Sequence, residues 1–300
     1  MSEKVYIPPI KIQGIKTKLV PLIKDNVLLE KDTIWVEPFM GSGVVGFNIK
    51  PNKAIFADTN PHIINFYNSI KEKNIDSYTV RNFLEIEGKK LEKKDDEYYY
   101  EVRERFNKYH SPLDFLFLNR CCFNGMIRFN KEYKFNVPYG HKPQRFSKAY
   151  ITKIVNQVKY VEQMVYSSDW KFICQDFGDT IMSVSSQKAF IYCDPPYIGR
   201  HVDYYDSWNL ESEEKLKELL ARSNNPFMLS TWDYNQHRRN EYIDALWGFC
   251  HKINKEHFYF IGANETNRKQ MIEALLVNYP LNMTQNYYST VNEQLKLCFN

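Results

Sequence analysis

The sequence has 300 residues, 43 % of them hydrophobic, with a formal net charge of +4 and a mean hydropathy of −0.54. These values are typical of a soluble globular chain, either one large domain or a core with an inserted second domain. No apolar run approaches the ~20 residues of a membrane span. The first residues also lack the apolar stretch of a secretion signal, so we expect a cytoplasmic location without membrane partners. The six cysteines form no CxxC pair and the seven histidines show no ligand spacing, so we predict reduced thiols and no metal.

The charge is unevenly distributed along the chain. Residues 101–150 contain ten Lys or Arg and four Asp or Glu, so this segment carries +6 and the remainder carries −2. Phe and Tyr are interleaved with its basic residues. Such a segment is typical of a surface that binds the phosphate backbone of a nucleic acid. A solvated charged face is an equally good interpretation of the charge alone.

In chain order, the first elements resemble a nucleotide-binding βαβ unit. Residues 8–31 read as a loop that enters a helix. A strand is predicted at 33–37, a glycine-rich turn at 38–43 and a helix at 44–49, with glycines in the spacing G-x-G-x-x-G. Glycine in such a turn lets the backbone approach a ligand closely. The pattern predicts a cofactor site but does not name the cofactor.

A second strand is predicted at 53–57, and it ends at Asp58. An acid at the end of the second strand of such a unit is placed to hold ribose hydroxyls. The competing interpretation is that Asp58 caps the helix that starts at Pro61. Both interpretations stay open on the sequence.

The middle of the chain reads as an inserted domain at 61–168, which separates the two parts, 1–60 and 169–300, of a catalytic domain. It is mostly helical, with a charged helical pattern up to about residue 108 and a more apolar helix at 112–122. Residues 126–137 alternate and turn as a β-hairpin does. This hairpin carries both basic and aromatic side chains.

After the insertion the α/β pattern resumes. A strand that ends in an acid is predicted at 171–177 and an apolar strand at 189–193. Further elements in chain order are a helix at 211–222, a strand at 226–231, a helix at 241–247 and strands at 257–262 and 271–278.

The strand at 189–193 is followed by Asp194, Pro195, Pro196 and Tyr197. Proline cannot donate to a ladder, so the strand ends there, and the carboxyl end of a strand is where ligands bind in an open α/β sheet. The Asp194 carboxylate and the Pro195 carbonyl can both accept hydrogen bonds from one amino group, while Tyr197 stacks on the attached ring. A polar and aromatic segment at 198–212 follows and is a candidate lid.

Taken together, these motifs resemble those of the alpha group of adenine-N6 DNA methyltransferases, the Dam-like enzymes, in the same order and over most of the chain. The resemblance is carried by the glycine motif at 37–43, the Asp-Pro-Pro-Tyr motif at 194–197 and the strings at 123–130 and 135–140. The N-terminal segment resembles the family's Lys-Trp-x-Gly-Gly-Lys motif. Here Ile12 stands in place of the tryptophan and Ile15 in place of the second glycine.

The resemblance implies a Rossmann-like, S-adenosylmethionine-dependent methyltransferase sheet with an inserted target-recognition domain. It implies catalytic roles for Asp194, Pro195, Pro196 and Tyr197. The implied cofactor residues are Ile12, Gly14, Lys16, Glu37, Pro38, Phe39, Gly41, Ser42, Gly43, Asp58, Asn60, Asp176, Phe177 and Asp194. The implied DNA-binding residues are Lys11, Phe123, Asn124, Met126, Arg128, Asn130 and Pro138.

The activity that the resemblance implies is methyl transfer to the N6 amino group of an adenine flipped out of double-stranded DNA. The expected partners are double-stranded DNA and a restriction endonuclease of the same site, with the methyltransferase itself a monomer. Arg128 is the candidate for a bidentate contact to guanine, and Phe123 or Met126 for a wedge in the gap left by the base. A DNA-binding subunit without catalysis, a methyltransferase of RNA or protein glutamine, and a Rossmann oxidoreductase are the alternatives.

Overall fold

The computed structural model describes residues 4–198, 208–235, 239–260 and 268–281. The chain forms two compact units, Met1–Asn225 and Pro226–Asn300. Seven strands lie in the described part of the chain, four in the first unit and three in the second. The fold is mixed α/β, as predicted.

The first unit contains a parallel four-stranded sheet. Its strands are β1 (Ile34–Glu37), β2 (Lys53–Asp58), β3 (Asp169–Cys174) and β4 (Ala189–Cys193), in the order β3-β2-β1-β4. Because the strands are parallel, their carboxyl ends meet at one edge, where an α/β sheet binds ligands. Strand β4 is buried along its whole length, as the apolar run predicts.

Nine α-helices lie in the described part of the first unit. They are α1 (Val20–Asn26), α2 (Val44–Ile49), α3 (Pro61–Lys71), α4 (Ser77–Lys94), α5 (Asp96–Tyr109), α6 (Pro112–Cys121), α7 (Lys148–Ser167), α8 (Phe177–Ser183) and α9 (Leu210–Arg222). Helix α3 packs on β2 and β3, and α7 packs on α3 and β3. The first and last helices of the predicted insertion thus lie against the sheet, and the boundaries 61–168 stay a prediction.

The second unit is antiparallel. It contains β5 (Phe227–Asn235), α10 (Glu241–Trp247), β6 (His251–Phe260) and β7 (Arg268–Val277), with β7 paired to both β5 and β6. The predicted strands at 226–231 and 271–278 and the helix at 241–247 are confirmed. The strand predicted at 257–262 begins earlier, at residue 251, and residues 261 and 262 lie outside the described part of the chain.

One predicted strand end is wrong, and one alternative interpretation is excluded. Strand β3 stops at Cys174, and Asp176 instead caps α8, since its carboxylate accepts hydrogen bonds from Gly178 N at 2.6 Å and Asp179 N at 3.3 Å. Helix α3 is capped by Asn60, whose side chain accepts from the first-turn amides, so Asp58 is not the cap.

The predicted hairpin at 126–137 is an irregular chain reversal with a single bridge between Phe129 and Phe135. This bridge is flanked by two backbone hydrogen bonds, from Asn130 N to Lys134 O at 2.9 Å and from Asn136 N to Arg128 O at 3.1 Å. The backbone amide of Phe135 therefore faces away from Phe129 and toward helix α5. The Phe135 amide donates to Asn107 Oδ1 at 2.7 Å. The Asn130 side chain holds the turn by accepting from two amides of the tip.

Among the described residues, no helix is long and apolar enough to span a membrane, and no group of three or more metal-binding side chains occurs.

An ion-pair network with two buried acids joins helices α4, α5 and α6 of the predicted insertion. Arg105 Nε and Nη2 donate to the two carboxylate oxygens of Asp114 at 2.8 and 2.5 Å, and Nη2 also reaches Glu87 Oε2 at 2.7 Å. Asp114 is 1 % exposed. Such a pair fixes geometry, and removal of one partner leaves a buried charge without compensation.

We therefore predict that Arg105→Ala lowers the free energy of unfolding by about 3 kcal/mol, because it leaves the buried carboxylates of Asp114 and Glu87 without the guanidinium that they share. The measurement is denaturant-induced unfolding followed by circular dichroism. The matched control is Glu101→Ala, which removes the acid of the exposed pair with Lys94 and should leave the midpoint almost unchanged. An equal shift of the unfolding midpoint in the two variants would contradict the stabilising role of this ion-pair network.

Candidate active site

The acid after β4 lies directly against a buried lysine from the N-terminal segment. Lys16 Nζ is 2.9 Å from Asp194 Oδ1, with the lysine side chain 6 % exposed and the acid 23 % exposed. The same ammonium donates to the Gly14 carbonyl at 2.9 Å and lies 5.2 Å from the ring centroid of Tyr197. Gly14, Lys16, Asp194 and Tyr197, predicted from two distant segments, are therefore one cluster. Pro195 is buried and Pro196 half-buried between the acid and the ring.

The glycine-rich turn lies at the same edge of the sheet and is held by Asp58. Gly41 and Gly43 adopt φ values of +51° and +75°, a backbone region that favours glycine. The Asp58 carboxylate accepts from Gly41 N and from Asn60 N, each at 2.8 Å. A Cβ on Gly41 would lie 3.2 Å from Ile12 Cδ1, so Ile12 covers the turn although it stands where the related motif has tryptophan.

The buried backbone on either side of the turn is also fixed. Pro38 and Ser42 are buried, and the Tyr67 hydroxyl donates to the Ser42 carbonyl at 2.7 Å. The turn is therefore a rigid cradle.

Glu37 ends β1 beneath the turn and is 2 % exposed. The Trp35 indole donates to its Oε1 at 2.8 Å, and the Gly46 amide also donates to it. Burial nevertheless dominates and, with the nearby charge of Asp194, raises the pKa of Glu37 to about 8. At neutral pH this acid is therefore mainly protonated, and it adds little negative charge to an edge that already holds Asp58 and Asp194.

Three half-buried aromatic rings meet beside the turn. Phe39 and Phe177 are stacked with centroids 5.3 Å apart, and Trp208 lies 5.5 Å from Phe39 and 5.4 Å from Phe177. The Trp208 indole donates to Glu213 Oε2 at 2.5 Å. Trp208 belongs to the candidate lid at 198–212. In the sequence, its aromatic side chain soon after the Asp-Pro-Pro-Tyr motif is the one sign of a role at this site. Residues 199–207 of that segment lie outside the described chain.

The predicted recognition residues begin directly after α6, and Asn119 fastens the N-terminal segment to them. The Asn119 side chain accepts from Lys11 N at 2.8 Å and donates to Lys11 O at 2.9 Å. The Lys11 side chain lies over Gly125, where a Cβ would be 2.7 Å from Lys11 Cδ. Phe123 is 50 % exposed, and its amide donates to the Pro138 carbonyl at 2.9 Å.

The other predicted DNA contacts lie around this point or along the reversal. Asn124 is exposed with φ of +53°, and Met126 is half-buried. Arg128 is tied to its own hairpin, because Nε donates to Asn136 Oδ1 at 2.8 Å and Nη2 to Asn136 O at 3.3 Å. Asn130 shapes the turn. Roles in reading bases stay predictions for all of them.

The chain is similar in sequence to known proteins. A family profile described as MethyltransfD12, D12 class N6 adenine-specific DNA methyltransferase, matches residues 13–292. Type II methyltransferase M.FokI of Planomicrobium okeanokoites is 30 % identical over 285 residues, which are 90 % of this chain and 42 % of that protein. DNA adenine methylase of Serratia marcescens is 35 % identical over 243 residues, or 75 % and 83 % of the two chains.

Modification methylase StsI of Streptococcus sanguinis is 27 % identical over 295 residues, which are 93 % of this chain and 44 % of that protein. The chain thus spans less than half of M.FokI and StsI, and most of the Serratia marcescens protein.

The raised pKa of Glu37 predicts a distinct pH dependence of stability. The folded state retains a proton on Glu37 up to about pH 8, whereas the unfolded chain loses it near the ordinary value for glutamate. Between these values the folded state binds more protons, so the free energy of unfolding falls as the pH rises.

The side chain that Glu37→Gln introduces is neutral at every pH, so this variant should not lose stability as the pH rises. Its stability relative to the unmodified protein should rise by at most about 1.4 kcal/mol per pH unit from pH 5 to pH 8 and then level off. Chemical denaturation of both proteins across this range is the measurement. Parallel stability curves would show that Glu37 is ionised in the fold.

Proposed function

The chain belongs to the family of D12 class N6 adenine-specific DNA methyltransferases, and from this premise we propose that it transfers a methyl group from S-adenosylmethionine to the N6 amino group of an adenine flipped out of double-stranded DNA. The observation that supports this most directly is the cluster of Lys16, Asp194 and Tyr197 at the sheet edge that also carries the glycine turn.

The residues at this edge suit the proposed cofactor. The turn at Gly41 and Gly43 brings backbone close to a ligand, and half-buried Phe39 and Phe177 offer faces for a purine ring. Asp58 fixes the turn and is the acid placed for ribose hydroxyls. Bound S-adenosylmethionine would supply a methyl group activated by a sulfonium ion.

Asp194 and the Pro195 carbonyl act on the other reactant. The lone pair of the adenine amino group is delocalised into its ring, so the nitrogen is a poor nucleophile. Hydrogen bonds from its two protons to these acceptors favour a pyramidal nitrogen with a localised lone pair, and the Asp194 carboxylate stabilises the positive charge that develops on it. Tyr197 stacks on the base and offsets part of the few kcal/mol that flipping costs.

Lys16 holds Asp194 in position for this role. Its ammonium bridges Asp194 Oδ1 and the Gly14 carbonyl, so the carboxylate is fixed between the N-terminal segment and the end of β4. Fixed groups contribute to rate because they need no reorganisation during the reaction.

We further propose that the protein modifies DNA alongside a restriction endonuclease of the same specificity. The names of two relatives, Type II methyltransferase M.FokI and Modification methylase StsI, support this setting. Protection of treated DNA from an endonuclease of matching site would test it. The cytoplasmic location and monomeric state stay predictions.

The activity is tested with methyl-labelled S-adenosylmethionine and three substrates, namely duplex DNA, RNA and protein. We expect label in duplex DNA alone. Label in RNA or protein would favour the alternative substrates, and DNA binding without any transfer would favour a subunit without catalysis.

Asp194→Ala should lower the rate of methyl transfer at least about a hundredfold, because it removes the acceptor that stabilises the developing charge. Binding to duplex DNA should change little. The matched control is Asp169→Ala, since Asp169 is exposed at the amino end of β3, the opposite edge of the sheet. Retained turnover in Asp194→Ala would refute the assigned role.

Arg128→Ala should relax the preference for the recognition site, because a bidentate contact to guanine discriminates between bases. The measurement is methylation of a library of duplex sites. Lys134→Ala removes an exposed charge from the same reversal, and it should lower methylation of all sites to the same extent. A uniform loss for Arg128→Ala as well would make Arg128 a phosphate contact.

A further inference from the structure

An open pocket of about 460 Å³ lies where the chain that follows the predicted recognition segment enters α7. This chain is attached to the end of α6, since Gly140 N donates to Cys121 O at 3.1 Å and Arg145 Nε donates to Arg120 O at 2.9 Å. None of the residues that line the pocket has a role in the proposed catalysis. They are Lys142, Pro143, Gln144, Arg145, Ser147 and Tyr150.

The pocket is built around one tyrosine ring with two guanidinium groups over it. Arg145 Cζ lies 4.3 Å and Arg120 Cζ 5.0 Å from the ring centroid of Tyr150. Lys11 contributes a third positive charge near the Tyr150 hydroxyl. Arg120 is 2 % exposed, so this charge is held inside the protein.

These cations lack a carboxylate partner in the described part of the chain. No Asp or Glu oxygen there lies within 4.0 Å of the side-chain nitrogens of Lys11, Arg120, Lys142 or Arg145. By contrast, Arg105 in the same unit contacts two buried acids. Clustered positive charges without acids are unfavourable in the folded protein, and an anion would relieve them.

The surroundings of the Tyr150 hydroxyl also agree with an anion site. Arg120 Nη1 donates to Pro9 O at 2.8 Å, and the side chains of Arg120 and Lys11 both interact with the Tyr150 hydroxyl. Burial raises the pKa of Tyr150, yet the charges of Arg120, Lys11 and Arg145 outweigh it and the pKa is lowered. The field in the pocket therefore favours negative charge.

The pocket is connected to the catalytic cluster through the N-terminal segment. Lys11 borders the cations and is fastened to Asn119. Lys16, five residues further along, contacts Asp194. The Cα atoms of residues five positions apart are separated by at most about 18 Å. The N-terminal segment therefore brings the pocket and the catalytic cluster close enough to meet the same stretch of duplex.

We propose that this pocket binds one backbone phosphate of the DNA close to the target adenine, with Arg145 and Lys142 as its ligands and Arg120 as the buried charge beneath. This rests on the proposed function. The N-terminus of α7, a twenty-residue helix that starts after Ser147, adds its dipole to the site. The phosphate would thereby set the position of the duplex relative to Asp194.

The test is a cycle between protein variants and single methylphosphonate substitutions, which remove one phosphate charge at a time from a duplex with the recognition site. Affinity is measured for the unmodified protein, Arg145→Ala and Lys142→Ala. At one backbone position near the adenine, we expect the methylphosphonate to lower the DNA affinity of the unmodified protein about tenfold. The same substitution should lower the DNA affinity of Arg145→Ala less than twofold. Each variant should also reduce the slope of log affinity against log salt by about 0.9.

The matched control is Lys159→Ala, which removes an exposed charge further along α7 and should show the full methylphosphonate effect at every position. Thermal unfolding of each variant checks that the fold is retained, and Arg145→Lys should restore part of the coupling.

If the protein transfers methyl groups but no methylphosphonate position shows coupling to Arg145→Ala or Lys142→Ala, the proposed phosphate site is wrong and the proposed function stands. Coupling without transfer would contradict the proposed function and leave the pocket supported. Stabilisation by inorganic phosphate of the unmodified protein but not of Arg145→Ala, with no coupling in DNA, would assign the pocket to a free anion and overturn the proposal. Failure of the unmodified protein to bind duplex DNA would overturn both.

Discussion

The contact between Lys16 and Asp194 fixes the relation between the N-terminal segment and the catalytic end of β4. A lysine that is 6 % exposed needs a nearby negative charge, and Asp194 supplies it at 2.9 Å. The segment that carries Lys16 also covers the glycine turn through Ile12 and meets the recognition segment through Lys11. One extended stretch of chain therefore touches the proposed cofactor site, the catalytic acid and the proposed DNA surface.

Three acids at the carboxyl edge of the sheet have different environments. Asp194 contacts a lysine, Asp58 accepts two backbone amides, and Glu37 is buried with a pKa raised to about 8. Protonation of Glu37 keeps the edge from accumulating a third negative charge. This arrangement suits a site where a sulfonium cofactor and a neutral base would meet, because a single catalytic carboxylate is enough to stabilise the positive charge that develops on the amino nitrogen.

Much of the fold follows from the sequence, since the strands β1, β2 and β4 are apolar runs and each is closed by an acid, namely Glu37, Asp58 and Asp194. The hairpin was less predictable, because Asn107 of a distant helix holds Phe135 from outside the reversal, through both its amide and its carbonyl. The role of Trp208 beside Phe39 and the protonation of Glu37 depend on packing that no local pattern encodes. The excess of basic residues at 101–150 predicted phosphate contacts, but the sequence does not show which of these residues are available for them. In the structure, Arg105 contacts two buried acids, whereas Arg145 lies over the ring of Tyr150.

The central claim is that the Asp194 cluster acts on the exocyclic amino group of adenine. The most direct measurement is mass spectrometry of the nucleosides released from duplex DNA after incubation with the protein and S-adenosylmethionine. The account predicts N6-methyl-2′-deoxyadenosine as the methylated nucleoside, formed by the unmodified protein and absent with Asp194→Ala. Methylated cytosine in its place, or N6-methyl-2′-deoxyadenosine formed equally by Asp194→Ala, would contradict it.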